Sequence, residues 1–362
     1  MKILLAGGGT GGHLMPALAL AHALRDAARD VEPVLAGAQR GIEAQVLPRY
    51  PFRHHLLPIE PLYRHTWWRN GRWLLLAPRV WWAVGKLLRA ERPAIVVGTG
   101  GYAAGPVVWR AQRAGIPTVL VEENAFPGIT TRWLARGARQ VHLGFPEARA
   151  RIGVGPDTAV FSIGNPVRPP EPGDRAAALV EFGLDPGRPT ILTFGGSQGA
   201  RGLNYAVAGA LERRLLGHAN LLWGTGTAQL AEFVRYAVPG RVVVRGFFDP
   251  MTAAYQGADL VLARAGAMTV AELCAWGKPS ILVPLASAAA DHQTHNARAL
   301  AAAGGALHLP ERDLSAHGLA MLVTQLLADS SRLASLAASA RARGNPTAAR
   351  EIVSKILTLA KN

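Results

Sequence analysis

Short apolar runs alternate with helix-like patterns along most of the chain. The first run, residues 3–6, is followed by apolar residues at helical spacing between Leu14 and Leu24. Runs at 95–97 and 191–194 are also each followed by a helical pattern. A buried strand that alternates with a helix is typical of parallel βαβ units, so the pattern predicts an α/β fold.

Each of these three runs ends in a glycine-rich turn, at 7–13, 98–102 and 195–199. Such a turn exposes backbone N–H groups at a helix N-terminus, where the helix dipole favours a phosphate. Two turns lie in the first half of the chain and one in the second. We therefore expect two similar α/β halves that face a cleft and hold a diphosphate-bearing ligand.

The chain has 362 residues, which favours two domains over one core. Four prolines and two glycines in 164–174 break any helix or central strand, and we place the boundary there. The predicted first domain is 1–165 and the second is 166–345, with strands near 190–194, 219–223, 241–245, 259–263 and 280–283. A final helix, within 346–362, is assigned to the first domain.

Cysteine content, apolar run length and net charge limit which classes of protein this chain can belong to. The single cysteine, Cys274, excludes an intrachain disulfide and fits a reducing compartment. No apolar run reaches the roughly 18 residues of a membrane-spanning helix, and the N-terminal run is too short for a signal peptide. The net charge of +15 attracts nucleic acid, anionic lipid or phosphorylated substrates, and +10 of it lies in 1–165.

The first turn matches the dinucleotide fingerprint with Gly7, Gly9 and Gly12. The next predicted strand, 33–37, ends without the acidic residue that an NAD ribose needs, so a simple NAD enzyme is disfavoured. His13 follows at the helix start. The dipole there disfavours imidazolium, so we expect a neutral ring that can accept a proton.

Two further helix starts carry candidate ligand groups. After the strand near 259–263, Ala267, Met268 and Thr269 offer backbone N–H groups, and Glu272 lies one turn later. Glu272 fits a ribose contact and equally a carboxylate that complements the dipole.

Asp291 is a candidate cap for the second of these helices, and the amides of Gln293 and Asn296 share one of its faces. His292 and His295 lack a third ligand at matching spacing, so we expect no metal site there. The chain also contains no Asp-x-Asp pair.

Segment 63–82 holds five of the nine tryptophans, with arginines among them. This mixture suits the headgroup layer of an anionic membrane. A buried aromatic helix that includes Trp81 and Trp82 is one alternative. Stacking on single-stranded RNA is another, but no RNA-binding motif supports it.

Taken together and in order, the motifs resemble a family of bacterial glycosyltransferases over nearly the whole chain. These enzymes add N-acetylglucosamine to undecaprenyl-diphospho-muramoyl-pentapeptide. The motifs are 8–13, Gly100-Gly101-Tyr102 with Gly105-Pro106, Glu122 with Asn124, 164–168, 195–200, 264–272, and Asp291-His292-Gln293 with Asn296.

The resemblance implies a GT-B fold, in which two Rossmann-like doubly wound parallel-sheet domains face a deep cleft. It implies that the second domain binds UDP-N-acetylglucosamine without a metal or other cofactor. The implied donor-binding residues are Thr10, Gly11, Gly12, Asn124, Arg168, Ser197, Phe248, Ala267, Met268, Thr269, Glu272, His292, Gln293 and Asn296. The first-domain turns would take the acceptor diphosphate through Gly11, Gly12, Gly100, Gly101 and Tyr102.

The implied reaction is an inverting transfer to the muramoyl 4-hydroxyl. It needs a base and a group that stabilises the leaving diphosphate. His13 is the first candidate for the base, followed by Glu122 and Tyr102. The family commonly has His-Glu-Gln-Asn where this chain has Val121-Glu122-Glu123-Asn124, so the roles of positions 121 and 123 stay open.

The implied partners are UDP-N-acetylglucosamine, the undecaprenyl-linked acceptor, an anionic membrane surface, and proteins of cell-wall synthesis and division, with no nucleic acid. The expected location is peripheral, on the cytoplasmic face of the cell (inner) membrane, through Trp67, Trp68, Arg69, Arg72 and Trp73. A UDP-sugar epimerase and a non-catalytic sugar-nucleotide or lipid-binding regulator remain as alternatives.

Overall fold

The computed structural model describes residues 1–61, 71–196 and 199–361. Its internal contacts divide the chain into two compact units. The first unit is Met1–Arg168 together with the C-terminal residues from Pro346 onward, and the second is Pro169–Asn345. The break at Arg168 lies inside the proline-rich cluster, because few contacts cross a segment that can join neither helix nor sheet.

The first unit is built on a seven-stranded sheet in which all neighbouring strands are parallel. Its strands are β1 (Lys2–Ala6), β2 (Glu32–Ala38), β3 (Arg53–Leu57), β4 (Ile95–Gly98), β5 (Thr118–Glu122), β6 (Gln140–Leu143) and β7 (Ala159–Phe161). They lie in the order β3-β2-β1-β4-β5-β6-β7.

Helices cover both faces of this sheet. They are α1 (Gly11–Ala27), α2 (Glu43–Val46), α3 (Trp73–Glu91), α4 (Gly101–Arg113), α5 (Ile129–Leu134) and the C-terminal α14 (Ala348–Lys361). Ile3 and Leu5 of β1 pack in the core under α1 and α14, whereas Leu4 and Ala6 pack in the core under α3 and α4. Burial on both faces explains why the strands are apolar runs without alternation.

Helix α14 belongs to the first unit. Its Ile352, Val353 and Ile356 are buried in the same core as Leu14 and Leu18 of α1. From β6, Gln140 Nε2 donates a hydrogen bond to the carbonyl of Lys355 on α14 at 3.0 Å. The end of the chain thus completes the covering of the first sheet.

The second unit contains a six-stranded sheet, again with parallel neighbours throughout. Its strands are β8 (Thr190–Phe194), β9 (Asn220–Gly224), β10 (Val242–Arg245), β11 (Leu260–Ala263), β12 (Ser280–Leu282) and β13 (Leu307–His308), in the order β10-β9-β8-β11-β12-β13. The first five correspond to the predicted strands. The two-residue β13 was not predicted, because it is too short to show a period.

The helices of the second unit are α6 (Arg175–Glu181), α7 (Arg201–Glu212), α8 (Leu230–Phe233), α9 (Thr252–Gly257), α10 (Ala267–Trp276), α11 (His292–Ala302), α12 (Ala316–Ala328) and α13 (Ser330–Arg343). The prediction of two Rossmann-like parallel-sheet domains is confirmed. Among the described residues, no helix is both long and apolar enough to cross a membrane.

Each sheet has one position where the strand order reverses. In the first unit this position lies between β1 and β4, and in the second unit it lies between β8 and β11. The loops that leave two such strands diverge to opposite faces of the sheet, which leaves a crevice at the carboxyl ends of the strands. Two of the predicted glycine turns follow β1 and β4, and the third follows β8.

Candidate active site

A buried carboxylate holds the glycine turn that follows β1. Glu43 is fully buried, and its Oε1 accepts hydrogen bonds from the backbone N–H groups of Gly9 (2.7 Å) and Ala38 (3.3 Å). A Cβ on Gly8, Gly37 or Gly41 would lie within 3 Å of this side chain. The glycines therefore make room for the carboxylate, and the Gly9 N–H is not available to a ligand.

The groups that remain available to an anion lie just beyond, at the start of α1. Thr10 precedes the helix with extended backbone angles, and its side chain makes no capping hydrogen bond. Thr10 and Gly12 are exposed, and Gly11 is half-exposed. An uncapped helix N-terminus at a crevice can receive a phosphate through its backbone N–H groups.

His13 meets a carboxylate from the loop after β5. Its Nδ1 lies 3.2 Å from both oxygens of Glu123, whose side chain is only 2% exposed, whereas the His13 side chain keeps 27% of its surface exposed. The hydroxyl of Thr99 donates to the His13 carbonyl at 2.7 Å. The ring is thus held from the sheet side and open on the other.

The expectation that His13 is neutral at neutral pH is wrong. Burial by itself lowers the pKa of His13, but the charge of Glu123 and its hydrogen bond outweigh burial and raise that pKa above its usual value. Burial also raises the pKa of Glu123, and the nearby His13 opposes that rise. The helix dipole, used for the prediction, is weaker than a buried carboxylate in contact with the ring.

Glu122 organises the loop that carries Glu123. Its Oε1 accepts from the backbone N–H of Asn124 (3.1 Å) and the Asn124 side-chain amide (3.3 Å), and its Oε2 accepts from Gly128 N (3.0 Å). Both oxygens of this buried carboxylate are engaged. The geometry therefore favours His13 over Glu122 as a proton acceptor.

Asn165 fixes the backbone beneath the same loop. Its buried side chain donates to the carbonyl of Glu123 at 2.9 Å. A Cβ on Gly144 would lie 2.2 Å from Asn165 Oδ1, so glycine leaves the space that this amide occupies. The structural role of Asn165 was not predicted, because its partner lies 42 residues earlier in the chain.

The turn after β4 approaches the turn after β1 very closely. A Cβ on Gly101 would lie 1.9 Å from the carbonyl oxygen of Gly8, and one on Gly100 would lie 2.7 Å from His13 Nδ1. A Cβ on Gly9 would likewise lie 2.4 Å from the ring of Tyr102. His13, Gly100, Gly101 and Tyr102 are therefore brought together as the sequence predicted.

The second unit presents a helix N-terminus at its own switch point. Helix α10 begins at Ala267 after Gly266, and no side chain caps it. Met268 and Thr269 are half-exposed in its first turn. Beside it, the buried Arg264 donates to the carbonyls of Val283 and Pro284 and pairs with Glu311, which ties this loop to the end of β12.

One oxygen of Glu272 is fixed by a residue that the sequence analysis missed. The hydroxyl of Tyr255, on α9, donates to Glu272 Oε2 at 2.8 Å. The Tyr255 ring is buried and stacks on Trp276 with a centroid distance of 5.6 Å. Burial raises the pKa of Glu272, and the hydrogen bond from Tyr255 opposes that rise.

The residues of α11 make contacts within the second unit. Asn296 is fully buried and donates to the carbonyl of Ala265 at 3.2 Å, so it supports the loop before α10. Gln293 Oε1 accepts from Leu285 N at 2.9 Å, and His292 Nδ1 lies 2.8 Å from the carbonyl of Ala289. Asp291 has left-handed backbone angles and no capping hydrogen bond, so the predicted cap is wrong.

An apolar crevice lies at the carboxyl ends of β8, β9 and β10. It is lined by Phe194, Gly196, Gly224, Gly246, Phe247, Phe248 and Met251. The Phe248 side chain is buried edge-on against Phe182 at 5.6 Å, whereas Phe247 is exposed. The predicted residue Phe248 therefore supports the crevice, and Phe247 and Met251 were missed.

Other predicted residues lie apart from these groups or outside the description. Arg168 is exposed at the end of the first unit, and Arg72 is exposed just before α3. Ser197, Trp67, Trp68 and Arg69 lie outside the described residues, as does the side chain of Trp73.

Helices α3, α4 and α5 carry exposed apolar side chains. Trp82 is 63% exposed, with the Lys86 ammonium 5.6 Å from its ring centroid, so the alternative of a buried Trp82 is wrong. Trp81 is half-buried against Trp109. The other exposed residues are Leu75, Trp109, Ile129 and Trp133.

The chain matches two known domain families in tandem. Residues 3–143 match the glycosyltransferase family 28 N-terminal domain, and residues 190–353 match the family 28 C-terminal domain. It is 44% identical, over all of both chains, to a protein of Chlorobaculum parvum. This chain belongs to glycosyltransferase family 28.

The Chlorobaculum protein is named UDP-N-acetylglucosamine–N-acetylmuramyl-(pentapeptide) pyrophosphoryl-undecaprenol N-acetylglucosamine transferase. The crystal structure of Acinetobacter baumannii MurG superposes with a TM-score of 0.78 at 28% identity and covers 99% of both chains. A putative UDP-N-acetylglucosamine 2-epimerase of Listeria monocytogenes, at 16% identity and a TM-score of 0.69, shares the fold alone. The family 28 enzyme described here is thus a glycosyltransferase with the GT-B fold.

The contact between the two turns of this family 28 enzyme can be tested with a matched pair of glycines. Gly101 (φ +74°) and Gly115 (φ +73°) share a positive φ that is unfavourable for alanine, but a Cβ on Gly115 meets nothing within 4 Å. Gly115→Ala should cost about 1 kcal/mol of unfolding free energy, and Gly101→Ala about 1–3 kcal/mol more, because the methyl overlaps the Gly8 carbonyl. Urea unfolding measures both, and equal losses would show that the two turns do not touch.

Proposed function

We propose that this enzyme transfers N-acetylglucosamine from UDP-N-acetylglucosamine to the 4-hydroxyl of the muramoyl sugar in undecaprenyl-diphospho-muramoyl-pentapeptide, with inversion at the anomeric carbon. The observation that carries the proposal is the difference between the two switch points. The first unit offers a histidine held by a carboxylate, and the second offers an uncapped helix N-terminus with a carboxylate one turn later. An inverting transfer needs both kinds of group.

The second unit would bind the donor. The N–H groups of Ala267, Met268 and Thr269 would face the diphosphate, whose negative charge grows as UDP leaves. Glu272 would accept from the ribose hydroxyls through the oxygen that Tyr255 does not use, and Phe248 would present backbone atoms to the uracil. In this proposal the helix start takes the place of a divalent ion, with Ser197 and Arg168 as further donor contacts.

The first unit would bind the acceptor. Gly11 and Gly12 at the start of α1, with Gly100, Gly101 and Tyr102, would take the acceptor diphosphate. His13 would remove the proton from the attacking hydroxyl, because its ring is close to these groups and open on one side. Glu122 is the less favoured base, since its oxygens already accept three hydrogen bonds.

The alternatives differ in what they require. An epimerase of the same fold needs a nucleotide site but no acceptor, and a binding regulator needs no base. Incubation with radiolabelled UDP-N-acetylglucosamine and a short-chain lipid-linked muramoyl-pentapeptide separates the three. Transfer of label to the lipid supports the proposal, label in an epimerised nucleotide supports an epimerase, and binding without turnover supports a regulator.

His13→Ala should lower kcat by ~10²–10⁴ in this transfer assay, because it removes the general base. The affinity for UDP, measured by calorimetry, should stay near that of the unmodified enzyme. His22→Ala, on the same helix and away from the turn, serves as the control. A loss of less than tenfold in His13→Ala would place the base elsewhere.

Glu272→Ala should raise KM for UDP-N-acetylglucosamine with little change in kcat, because ribose contacts are the same in the ground and transition states. Tyr255→Phe should raise KM by less, since the carboxylate stays but loses the donor that holds it. Steady-state kinetics measure both. A large fall in kcat at unchanged KM in Glu272→Ala would contradict the ribose contact.

Peripheral membrane binding completes the proposal, since an undecaprenyl tail stays in the bilayer. The described residues add support beyond segment 63–82: Leu75 (76% exposed), Trp82 and Trp109 (49%) are exposed on α3 and α4, near the basic Arg79 and Lys86. Such a surface fits the headgroup layer of the cytoplasmic leaflet. Proteins of cell-wall synthesis and division remain expected partners.

The double variant Trp82→Ser and Trp109→Ser should reduce flotation with anionic liposomes, because it removes the half-wet rings. The matched control, Val180→Ser with Met321→Ser, changes exposed apolar residues of the second unit and should float normally. Binding should weaken as salt rises, since charge attraction is screened over ~10 Å at moderate ionic strength. Equal flotation of the unmodified and the Trp variant would move the membrane face away from α3 and α4.

A further inference from the structure

We infer that Glu123 is a positioning residue for the transfer reaction: it fixes the ring orientation and tautomer of His13, so that Nε2 is the nitrogen that takes the proton from the acceptor. This inference rests on the proposed function, because it assigns the partner of the proposed base. The resemblance described above implies glutamine at this position, and this chain has a carboxylate there instead.

An ionised Glu123 fits one arrangement of the ring proton. Both of its oxygens lie 3.2 Å from Nδ1 and can only accept when ionised, so the neutral imidazole then keeps its hydrogen on Nδ1 and donates it to the carboxylate. In the described part of the chain, every hydrogen bond of the His13 ring uses Nδ1. The lone pair is therefore on Nε2. A carboxylate that orients a histidine in this way is the third member of many acid–base sites.

Both partners are held from several sides. The ring packs against the backbone of Gly100 and Gly101, since a Cβ on either glycine would lie within 3 Å of a ring atom. Thr99 bonds the His13 carbonyl, and Asn165 bonds the Glu123 carbonyl. The His13 and Glu123 side chains lose little conformational entropy when substrate binds, because both are already fixed.

The charges around His13 are mostly negative. Glu122 ends β5 and Glu123 begins the loop after it, Glu43 from α2 lies against the turn at Gly8, and the Tyr102 phenol from α4 lies against Gly9. Burial alone lowers the pKa of His13, and the charge of Glu123 and then of Glu122 raises it. Glu123 thus makes His13 a stronger base that is also more fully protonated at neutral pH.

This arrangement has a defined effect on the dependence of activity on pH. Only the neutral ring can accept a proton, so kcat/KM rises as pH rises through the pKa of His13 in the free enzyme. Because Glu123 raises that pKa, its removal should move the acidic limb of the profile to lower pH. The weaker base that results should also lower the plateau at high pH.

The test is the isosteric variant Glu123→Gln, which keeps an acceptor for Nδ1–H but removes the charge. We expect the acidic limb of kcat/KM to move down by about one pH unit or more, and the alkaline plateau to fall roughly three- to tenfold. Glu123→Asp, which keeps the charge, should leave the limb nearer that of the unmodified enzyme. A Glu123→Gln profile of unchanged shape, whatever its height, would overturn the inference.

A second measurement is independent of the transfer reaction and of any variant. In the unmodified enzyme with ¹⁵N-labelled histidine, NMR should find a titration midpoint of His13 above 6.5 and, at a pH above that midpoint, the Nδ1–H tautomer. His13→Ala assigns the signals. An Nε2–H tautomer or a midpoint below 6.5 would overturn the inference even if Glu123→Gln did not fold. If the labelled sugar is not transferred but this signature is found, the proposed function fails and the pairing of Glu123 with His13 stands.

Discussion

The reversal of strand order in each sheet is the constraint on which the rest of this structure depends. Between β1 and β4, and again between β8 and β11, two chain segments leave neighbouring strands in opposite directions. The diverging segments leave a crevice between them, which glycine turns and helix starts line. The same geometry, used in both units, places a His13–Glu123 pair in one and an uncapped helix start in the other.

Buried carboxylates fix the loops and the histidine that line the crevice of the first unit. Glu43 bonds the turn after β1, Glu122 bonds the loop after β5, and Glu123 bonds the histidine between them. A buried charge is costly unless it is hydrogen-bonded, so each such residue fixes the backbone or side chain that satisfies it. The rigidity of the first-unit site follows from this requirement.

Local features were predictable from the sequence, and distant pairings were not. The glycine turns, the helix starts at Gly11 and Ala267, three strands of the first sheet (β1, β2 and β4) and the first five strands of the second follow from local periodicity. The charge of His13 depends on Glu123, 110 residues away, and the support of Glu272 depends on Tyr255, so neither could be derived from spacing. The burial of Asn296 and its bond to the Ala265 carbonyl, 31 residues away, could likewise not be derived from its helix face.

The packing around Glu43 makes four positions depend on one another. Gly8 lies in the turn after β1, Gly37 in β2 and Gly41 in the loop after β2, yet each leaves space for the same side chain. A larger residue at any of them is compatible with the fold only if position 43 first becomes smaller, and a smaller residue there leaves the Gly9 N–H without its partner. Substitutions at these four positions are therefore expected in a fixed order, in which residue 43 changes before any of the three glycines.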